Sequence, residues 1–155
     1  MSNYFTTPQM MWNRVQGEDL KVKDWIVPYY AQLPEKMDVI VTGIPLSRSS
    51  ISPSAASEYP DFFRRAWNGF STYSIDDDVD FRSFQVADVG DVRMHGTDIL
   101  ACHENIRQAM HDILQQCPDS FYVQIGGDHS ITAPIVTAFQ EHTKKQLALF
   151  NSTHT

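Results

Sequence analysis

The residues with the clearest potential for chemistry form the run Gly-Gly-Asp-His-Ser at positions 126–130. They follow a short apolar segment, residues 121–125, which predicts a buried strand. Two consecutive glycines allow the chain to turn sharply and to approach a ligand closely, because no Cβ is in the way. The imidazole of His129, beside the carboxylate of Asp128, could then bind a metal ion. In open α/β sheets, ligands bind beyond the carboxyl ends of the strands, where this run is expected to lie.

A purely structural interpretation explains the same run. Ser130 or Thr132 could cap a helix that begins near Ile131, and a hydrogen bond could satisfy the ring of His129. One histidine beside one aspartate is weak evidence for a metal site. The spacing alone therefore leaves both interpretations open.

The elements around this run predict an α/β fold. Apolar segments that read as strands alternate with segments of helical periodicity, and this order is typical of a parallel sheet with helices on both faces. The predicted strands are residues 38–43, 84–92, 121–125 and 146–150, and the predicted helices are residues 53–67, 97–117 and 132–142. In the first helix, the apolar side is expected to consist of Phe62, Phe63, Ala66 and Trp67, and the pair Arg64-Arg65 to face solvent.

The predicted helix over residues 97–117 has the clearest apolar stripe, at spacings of three and four residues, and begins at Thr97 or Asp98. Cys102 and Cys117 both fall on that stripe. Their separation along the helix is about 22 Å, too far for a disulfide. Reduced, buried cysteines are typical of a cytoplasmic protein.

Other polar residues invite functional interpretations of their own. Asp88 and Asp91 lie towards the carboxyl end of the second predicted strand, where carboxylates either do chemistry or bond to loop backbone. The serine-rich loop at residues 46–52 contains Arg48, so it either binds an anion or is a flexible turn.

The acidic residues at 76–80 lack the glycine and glutamate of a calcium loop, which favours a solvated turn. The remaining histidines of the helical region, His95, His103 and His111, have no closely spaced partner, so no metal site is predicted there.

Composition and charge exclude several classes of function. The chain has 155 residues, which predicts one domain, a net charge of −7 and a pI near 5.2. Without a basic patch, neither nucleic acid nor an anionic membrane is an expected partner. The N-terminus has no signal-peptide pattern, and no apolar run approaches membrane-spanning length. Residues 1–37 are irregular and aromatic-rich, and they are expected to pack over a sheet edge or to form an oligomer contact.

The run at residues 126–132, Gly-Gly-Asp-His-Ser-Ile-Thr, resembles the first metal-binding motif of the ureohydrolase family, which includes arginases, agmatinases and formimidoylglutamases. The resemblance implies that His129 is a ligand to one of two manganese ions. Further segments that resemble family motifs are residues 43–46, 54–64 and 88–92. The resemblance covers roughly residues 38–150, and for the Asp88 motif it favours a structural role. The implied fold is an arginase-like three-layer α/β/α arrangement.

The same resemblance implies that the metal site is incomplete. The next family motif is Asp-x-His-x-Asp, but here the predicted strand is followed by Asn-Ser-Thr-His-Thr at residues 151–155. Asn151 replaces the first aspartate, and His154 matches the histidine only if one residue is inserted. Residues 1–155 therefore resemble the N-terminal half of a ureohydrolase domain, with His129 and His154 as the candidate metal ligands. At most part of a binuclear manganese site is expected.

Two functions follow as expectations. The first is an agmatinase-like or formimidoylglutamase-like hydrolase of a small guanidino or formimino substrate, inactive as this truncated chain. The second is a non-catalytic subunit that associates with a full-length relative. An incomplete sheet would expose a strand edge, so a homo-oligomer or a complex with a homologue is expected.

Overall fold

The structure is a computed structural model that describes residues 4–6, 20–29, 33, 36–48, 52 and 54–143. In chain order, its helices and strands are β1 (Phe5–Thr6), α1 (Val22–Trp25), β2 (Val27–Pro28), β3 (Val39–Ile44), α2 (Tyr59–Ala66), β4 (Tyr73–Ser74), β5 (Val79–Asp80), β6 (Val86–Val92), α3 (Ile99–Gln116), β7 (Phe121–Gly126) and α4 (Thr132–Thr143). Short 3₁₀ turns cover Ala56–Glu58, Phe81–Ser83 and His129–Ile131. No helix in these ranges has both the length and the apolar character needed to cross a membrane.

Within the described ranges, β1, β2, β3, β6 and β7 form one sheet. The central strand β3 lies between β6 and β7 and is parallel to both. The outer edge of β6 pairs with β2 in parallel and, further along, with β1 in antiparallel orientation. The predicted parallel sheet is confirmed, and the short antiparallel β1 is an addition that the sequence did not indicate. The predicted strand at residues 146–150 lies outside the described residues.

Helices cover both faces of the sheet, as predicted. Successive side chains of a strand point to opposite faces. Ile40 of β3 therefore joins a core that includes Ile106 of α3 and Ala138 of α4. Val41, the next residue, joins a second core with Trp67, which follows α2. The sheet is thus the middle layer of three.

Helix α3 forms as its sequence pattern predicts. Asp98 is the N-cap, and its side chain accepts a hydrogen bond from the backbone N–H of Ala101 at 3.0 Å. The apolar stripe is buried, and each fully buried aliphatic side chain contributes about 1.5–3 kcal/mol. Cys102 lies on this stripe, Cys117 follows the helix, and both are buried cysteines outside any disulfide. Burial raises the pKa of Cys117.

Helix α2 differs most from its prediction. It begins at Tyr59, after a 3₁₀ turn, rather than near residue 53. Its inner face consists of Pro60, Arg64 and the following Trp67, spaced four and three residues apart. Phe62 and Phe63, predicted to be buried, lie off that stripe and are 55% and 39% exposed.

The prediction that Arg64 faces solvent is wrong, because this residue is only 1% exposed. Its neighbour Arg65 is exposed as predicted and pairs with Asp61. The two arginines differ because only position 64 is in helical register with Trp67 on the inner face.

The acidic segment at residues 76–80 forms the predicted solvated turn. Residues 75–78 connect β4 to β5, and Asp78 adopts the left-handed conformation with φ 53°. Asp80 pairs with Arg82 at the surface. Near the N-terminus, Ile26 is buried in the second core.

Candidate functional site

The candidate site lies where loops leave the carboxyl ends of β3, β6 and β7. The backbone N–H of Asp128 donates to the carbonyl oxygen of Leu46 at 2.7 Å, which joins the loop after β7 to the loop after β3. This contact explains why residue 127 is glycine. A Cβ on Gly127 would lie 2.6 Å from the carbonyl carbon of Leu46, much closer than such atoms can approach.

The side chain of Asp128 holds this junction together. One carboxylate oxygen, Oδ1, accepts from the backbone N–H of Ser130 at 3.0 Å and from its hydroxyl at 2.6 Å. The other oxygen, Oδ2, accepts from the backbone N–H of Arg48 at 2.8 Å. Asp128 is therefore the N-cap of the 3₁₀ turn His129–Ile131, which precedes α4, whereas the structural interpretation of the sequence had Ser130 or Thr132 as the cap. An ionised carboxylate accepts several N–H and O–H donors more strongly than a hydroxyl does, which favours it at this position.

Arg48 connects the third loop, which follows β6, to this junction. Its guanidinium donates to the carbonyl oxygen of Gly96, in the loop that follows β6. This contact gives the side chain a structural role. Anion binding by the serine-rich loop stays a prediction, since residues 49–51 and 53 lie outside the described residues.

The predicted metal ligand His129 is exposed at this edge of the sheet. Its ring nitrogen Nδ1 lies 3.5 Å from the hydroxyl of Thr132, at the outer limit of a hydrogen bond. The structure thus places His129 beyond the end of β7, as the sequence predicted. His154, the second predicted ligand, lies outside the described residues.

The other histidines predicted to have no metal role all have structural partners. His95 Nδ1 accepts from the backbone N–H of Asp98 at 3.2 Å, and His111 Nε2 lies 2.7 Å from the carboxylate of Glu141. His103 Nε2 lies 3.2 Å from the hydroxyl oxygen of Ser130. His103 therefore belongs to the junction below His129, which its position in the sequence did not indicate.

The carboxylates at the end of β6 form a buried ion cluster with Arg64. The guanidinium donates to both oxygens of Asp88, at 2.6 and 2.9 Å, and to Asp91 at 2.6 Å. The side chains of Arg64 and Asp88 are 1% and 0% exposed. Asp88 Oδ1 also accepts from the backbone N–H of Gly90, so the predicted structural role of these carboxylates is confirmed.

An irregularity in β6 brings both carboxylates to the same face. Residues three apart on a regular strand point to opposite faces, but Val41 and Gly43 of β3 pair with Asp88 and Asp91 respectively, so β6 contains one extra residue. Gly90 absorbs it with φ 86°. Gly43 makes room for Asp91, because a Cβ there would lie 2.9 Å from the carboxyl carbon.

Burial and pairing compete in this cluster. Burial opposes the charged form of Arg64, but its bonds and charge attraction to Asp88 and Asp91 prevail and raise its pKa. For Asp91, burial prevails over the attraction of Arg64 and raises the pKa of the carboxyl. Both oxygens of Asp88 are committed to donors, so the cluster is not arranged to bind a metal ion.

The described residues do not fit a binuclear manganese centre. Manganese prefers several oxygen ligands together with imidazole. Nowhere in the described part of the chain do three or more His, Cys, Asp or Glu side chains come together in a way that could hold a metal ion. The carboxylate of Asp128 is occupied by donors of Arg48 and Ser130. Of the two metal ligands proposed from the sequence, the described ranges contain only His129.

The described residues thus form a three-layer α/β/α arrangement, with an exposed histidine on a glycine turn beyond the end of a parallel strand. Residues 37–152 match the model of the arginase family, so the chain belongs to that family. A formimidoylglutamase from Halalkalibacterium halodurans is 41% identical over 97 residues, which cover 63% of this chain and 30% of that protein.

Solved structures give the same picture. A formimidoylglutamase from Bacillus subtilis superposes with a TM-score of 0.74 at 33% identity, over 84% of this chain and 41% of that one. A Trypanosoma cruzi formiminoglutamase with Mn²⁺ superposes with a TM-score of 0.66 at 21% identity, over 81% of this chain and 41% of that one. This second likeness supports the arginase-like fold. The chain matches less than half of the length of each of these relatives.

Sequence reasoning found His129 but missed much of what surrounds it. Arg64 could have been found from its helical register with Trp67. The roles of Gly43 and Gly90 could not be predicted from the sequence, because they depend on the register between β3 and β6. Asp128 was noted as a neighbour of His129, but its partner Arg48 is 80 residues away.

Proposed function

We propose that this chain is part of a formimidoylglutamase-like or agmatinase-like ureohydrolase, which hydrolyses a C–N bond of a small formimino or guanidino substrate. The observation that carries the proposal is the exposed His129, held on its glycine turn at the carboxyl end of β7 in an arginase-family chain. The 41% identity with a formimidoylglutamase favours a formimino substrate over a guanidino one.

Manganese is the metal we propose, because a formiminoglutamase of the same fold contains Mn²⁺. Within this chain, His129 and His154 are the proposed ligands. The described residues add no carboxylate cluster that could complete a binuclear site. We therefore propose that the 155-residue chain alone binds at most part of the metal centre and does not turn over substrate.

Metal content and product release test this proposal together. The purified chain would be loaded with Mn²⁺, desalted and analysed for bound metal per chain. It would then be assayed for formamide from formiminoglutamate and for urea from agmatine and arginine. We expect weak, substoichiometric Mn²⁺ binding that is lost in His129→Ala, and no product. Two tightly held ions per chain, or turnover of any substrate, would show that the chain carries a complete site.

A second candidate function, a non-catalytic subunit that binds a full-length relative, is favoured by the surface around β7. In the described ranges β7 pairs with β3 alone, and Phe121 at its start is 69% exposed. Beside the end of β7, the aromatic rings of Tyr59 and Phe62 line an open cavity of about 680 Å³. Exposed aromatic side chains beside an open cavity are typical of a surface that another polypeptide covers.

Association distinguishes this candidate from the first. The chain would be co-expressed with a tagged full-length formimidoylglutamase, and by itself it would be sized by light scattering. Co-purification that is abolished by Phe62→Glu supports the subunit role. If the chain is monomeric and does not co-purify with the relative, the subunit role is contradicted. For either function, the expected cytoplasmic location is part of the proposal and follows from the two buried, reduced cysteines.

A further inference from the structure

The hydroxyl of Ser130 connects the turn below His129 to helix α3. Its oxygen lies 2.6 Å from Asp128 Oδ1 and 3.2 Å from His103 Nε2. A hydroxyl has one proton, and a carboxylate can only accept, so the hydroxyl proton points to Asp128. The Ser130 oxygen therefore accepts from His103, which requires the hydrogen of that imidazole to be on Nε2.

The path continues beyond Asp128 into the other loops of the site. Asp128 Oδ2 accepts from the backbone N–H of Arg48, and the guanidinium of Arg48 donates to Gly96. A continuous series of hydrogen bonds thus runs from α3, through the turn after β7, to the loops after β3 and β6. His129 is the residue between Asp128 and Ser130, so the series fixes the backbone on both of its sides.

His103 differs in this respect from the neighbouring histidine on the same helix. His111 lies two turns further along α3, and its ring contacts Glu141 of α4, at a distance from the strand ends. Both rings are half-buried and both bond across to another element. His111 therefore provides a matched control for His103.

We propose that His103 is a positioning residue, which holds the turn between β7 and α4, and with it His129, through the hydroxyl of Ser130. The importance of His129 rests on the proposed function. The hydrogen-bond series itself does not, and it can be tested in the isolated chain without metal or substrate.

The tautomer of His103 is the first test. Long-range ¹H–¹⁵N NMR spectra of the whole chain, assigned with His103→Gln, report which ring nitrogen carries the hydrogen when the imidazole is neutral. We expect the Nε2–H form, and we expect Ser130→Ala to convert it into a mixture. A wild-type His103 in the Nδ1–H form would overturn the proposal, whether or not any variant folds.

Amide hydrogen exchange is the second test, because it separates local positioning from general stability. In His103→Ala, the amide of Ser130 is expected to exchange roughly tenfold faster, as loss of one hydrogen bond predicts. The His129 ring resonances should shift as well. In Asp128→Asn, whose amide nitrogen cannot accept, the Arg48 amide should be affected most.

Two variants complete the design. His103→Gln offers an amide N–H at a similar reach and is expected to restore most of the protection of Ser130. His111→Ala should leave the amides of Ser130 and Arg48 unchanged. If His103→Ala behaves like His111→Ala at these amides, His103 does not position the turn. If His129→Ala bound Mn²⁺ as well as the wild type while these results held, the proposed function alone would be contradicted.

Discussion

At the end of β6, two carboxylates and one guanidinium form an ion cluster, in which Arg64 and Asp88 are buried and Asp91 is 14% exposed. At the end of β7, on the same edge of the sheet, one carboxylate is taken up by backbone and hydroxyl donors, and an imidazole is left exposed. Each strand end relies on glycines: Gly43 makes room for Asp91 and Gly90 adopts a positive φ in the first case, and Gly127 makes room for Leu46 in the second. The same residue types thus produce a structural cluster at one strand and a candidate binding residue at the next.

The difference comes from the element that covers each strand end. Helix α2 places Arg64 over β6, so the charges of Asp88 and Asp91 are neutralised inside the protein. At the end of β7, the carboxylate of Asp128 accepts hydrogen bonds from the backbone amides of Arg48 and Ser130. An acidic residue at the carboxyl end of a strand is therefore evidence for a site only when no buried cation already pairs with it.

The largest expected effect is the loss of the β6 cluster in Arg64→Met. This substitution leaves Asp88 buried without its cation, which typically costs about 3–5 kcal/mol. Urea denaturation of the purified chain would measure the free energy of unfolding. Arg65→Met is the matched control, because its exposed pair with Asp61 is worth less than about 0.5 kcal/mol. Equal losses in the two variants would show that Arg64 is not buried in an ion cluster.

Gly127→Ala is expected to disturb the β7 end by a smaller amount. The new Cβ would lie 2.6 Å from the carbonyl carbon of Leu46, so the loop must move, at a cost of about 1–3 kcal/mol. The resonances of His129 should shift at the same time. Gly96→Ala is the control, since a Cβ there meets nothing within 4 Å. A neutral Gly127→Ala would mean that the loops after β3 and β7 are not in contact.

The titration of Asp91 tests the balance between burial and ion pairing in the β6 cluster. Because burial raises its pKa, the folded state holds the proton more tightly than the unfolded state. Its contribution to stability is therefore fully present below the unfolded pKa of about 3.9 and declines as the pH rises through the higher folded-state pKa. The stability of the wild type relative to Asp91→Asn should fall over that window and then level off. A rise instead would show that the attraction of Arg64 outweighs burial.

The sequence predicted the order of elements well because local patterns determine it. The β-branched run before Gly43 and the stripe of α3 each bury one continuous apolar surface, and both elements form close to their predicted bounds. Helix α2 was mispredicted because its inner face carries an arginine, so the apolar pattern pointed to Phe62 and Phe63. The bulge at Gly90 could not be predicted for a different reason, because it is defined by how β6 pairs with β3.

The same contrast between local patterns and long-range pairings applies to the candidate site. His129 was found because its motif is contiguous, whereas Asp128, Arg48 and His103 act together across long stretches of the chain. No local pattern records such pairings. Sequence reasoning therefore identified the exposed residue and missed the residues that hold it in place.

The smallest expected effect, that of His129→Ala, decides between the two interpretations of the motif. An exposed ring with one 3.5 Å contact contributes little to folding, so the free energy of unfolding should change by less than about 0.5 kcal/mol. His103→Ala, which removes a half-buried ring bonded to Ser130, should cost about 1 kcal/mol. Urea denaturation of both variants would measure the contrast. If His129→Ala were the more costly change, His129 would be a structural histidine satisfied by its own turn. A histidine that folding does not require, on a turn that several residues hold in place, is instead what a binding role predicts.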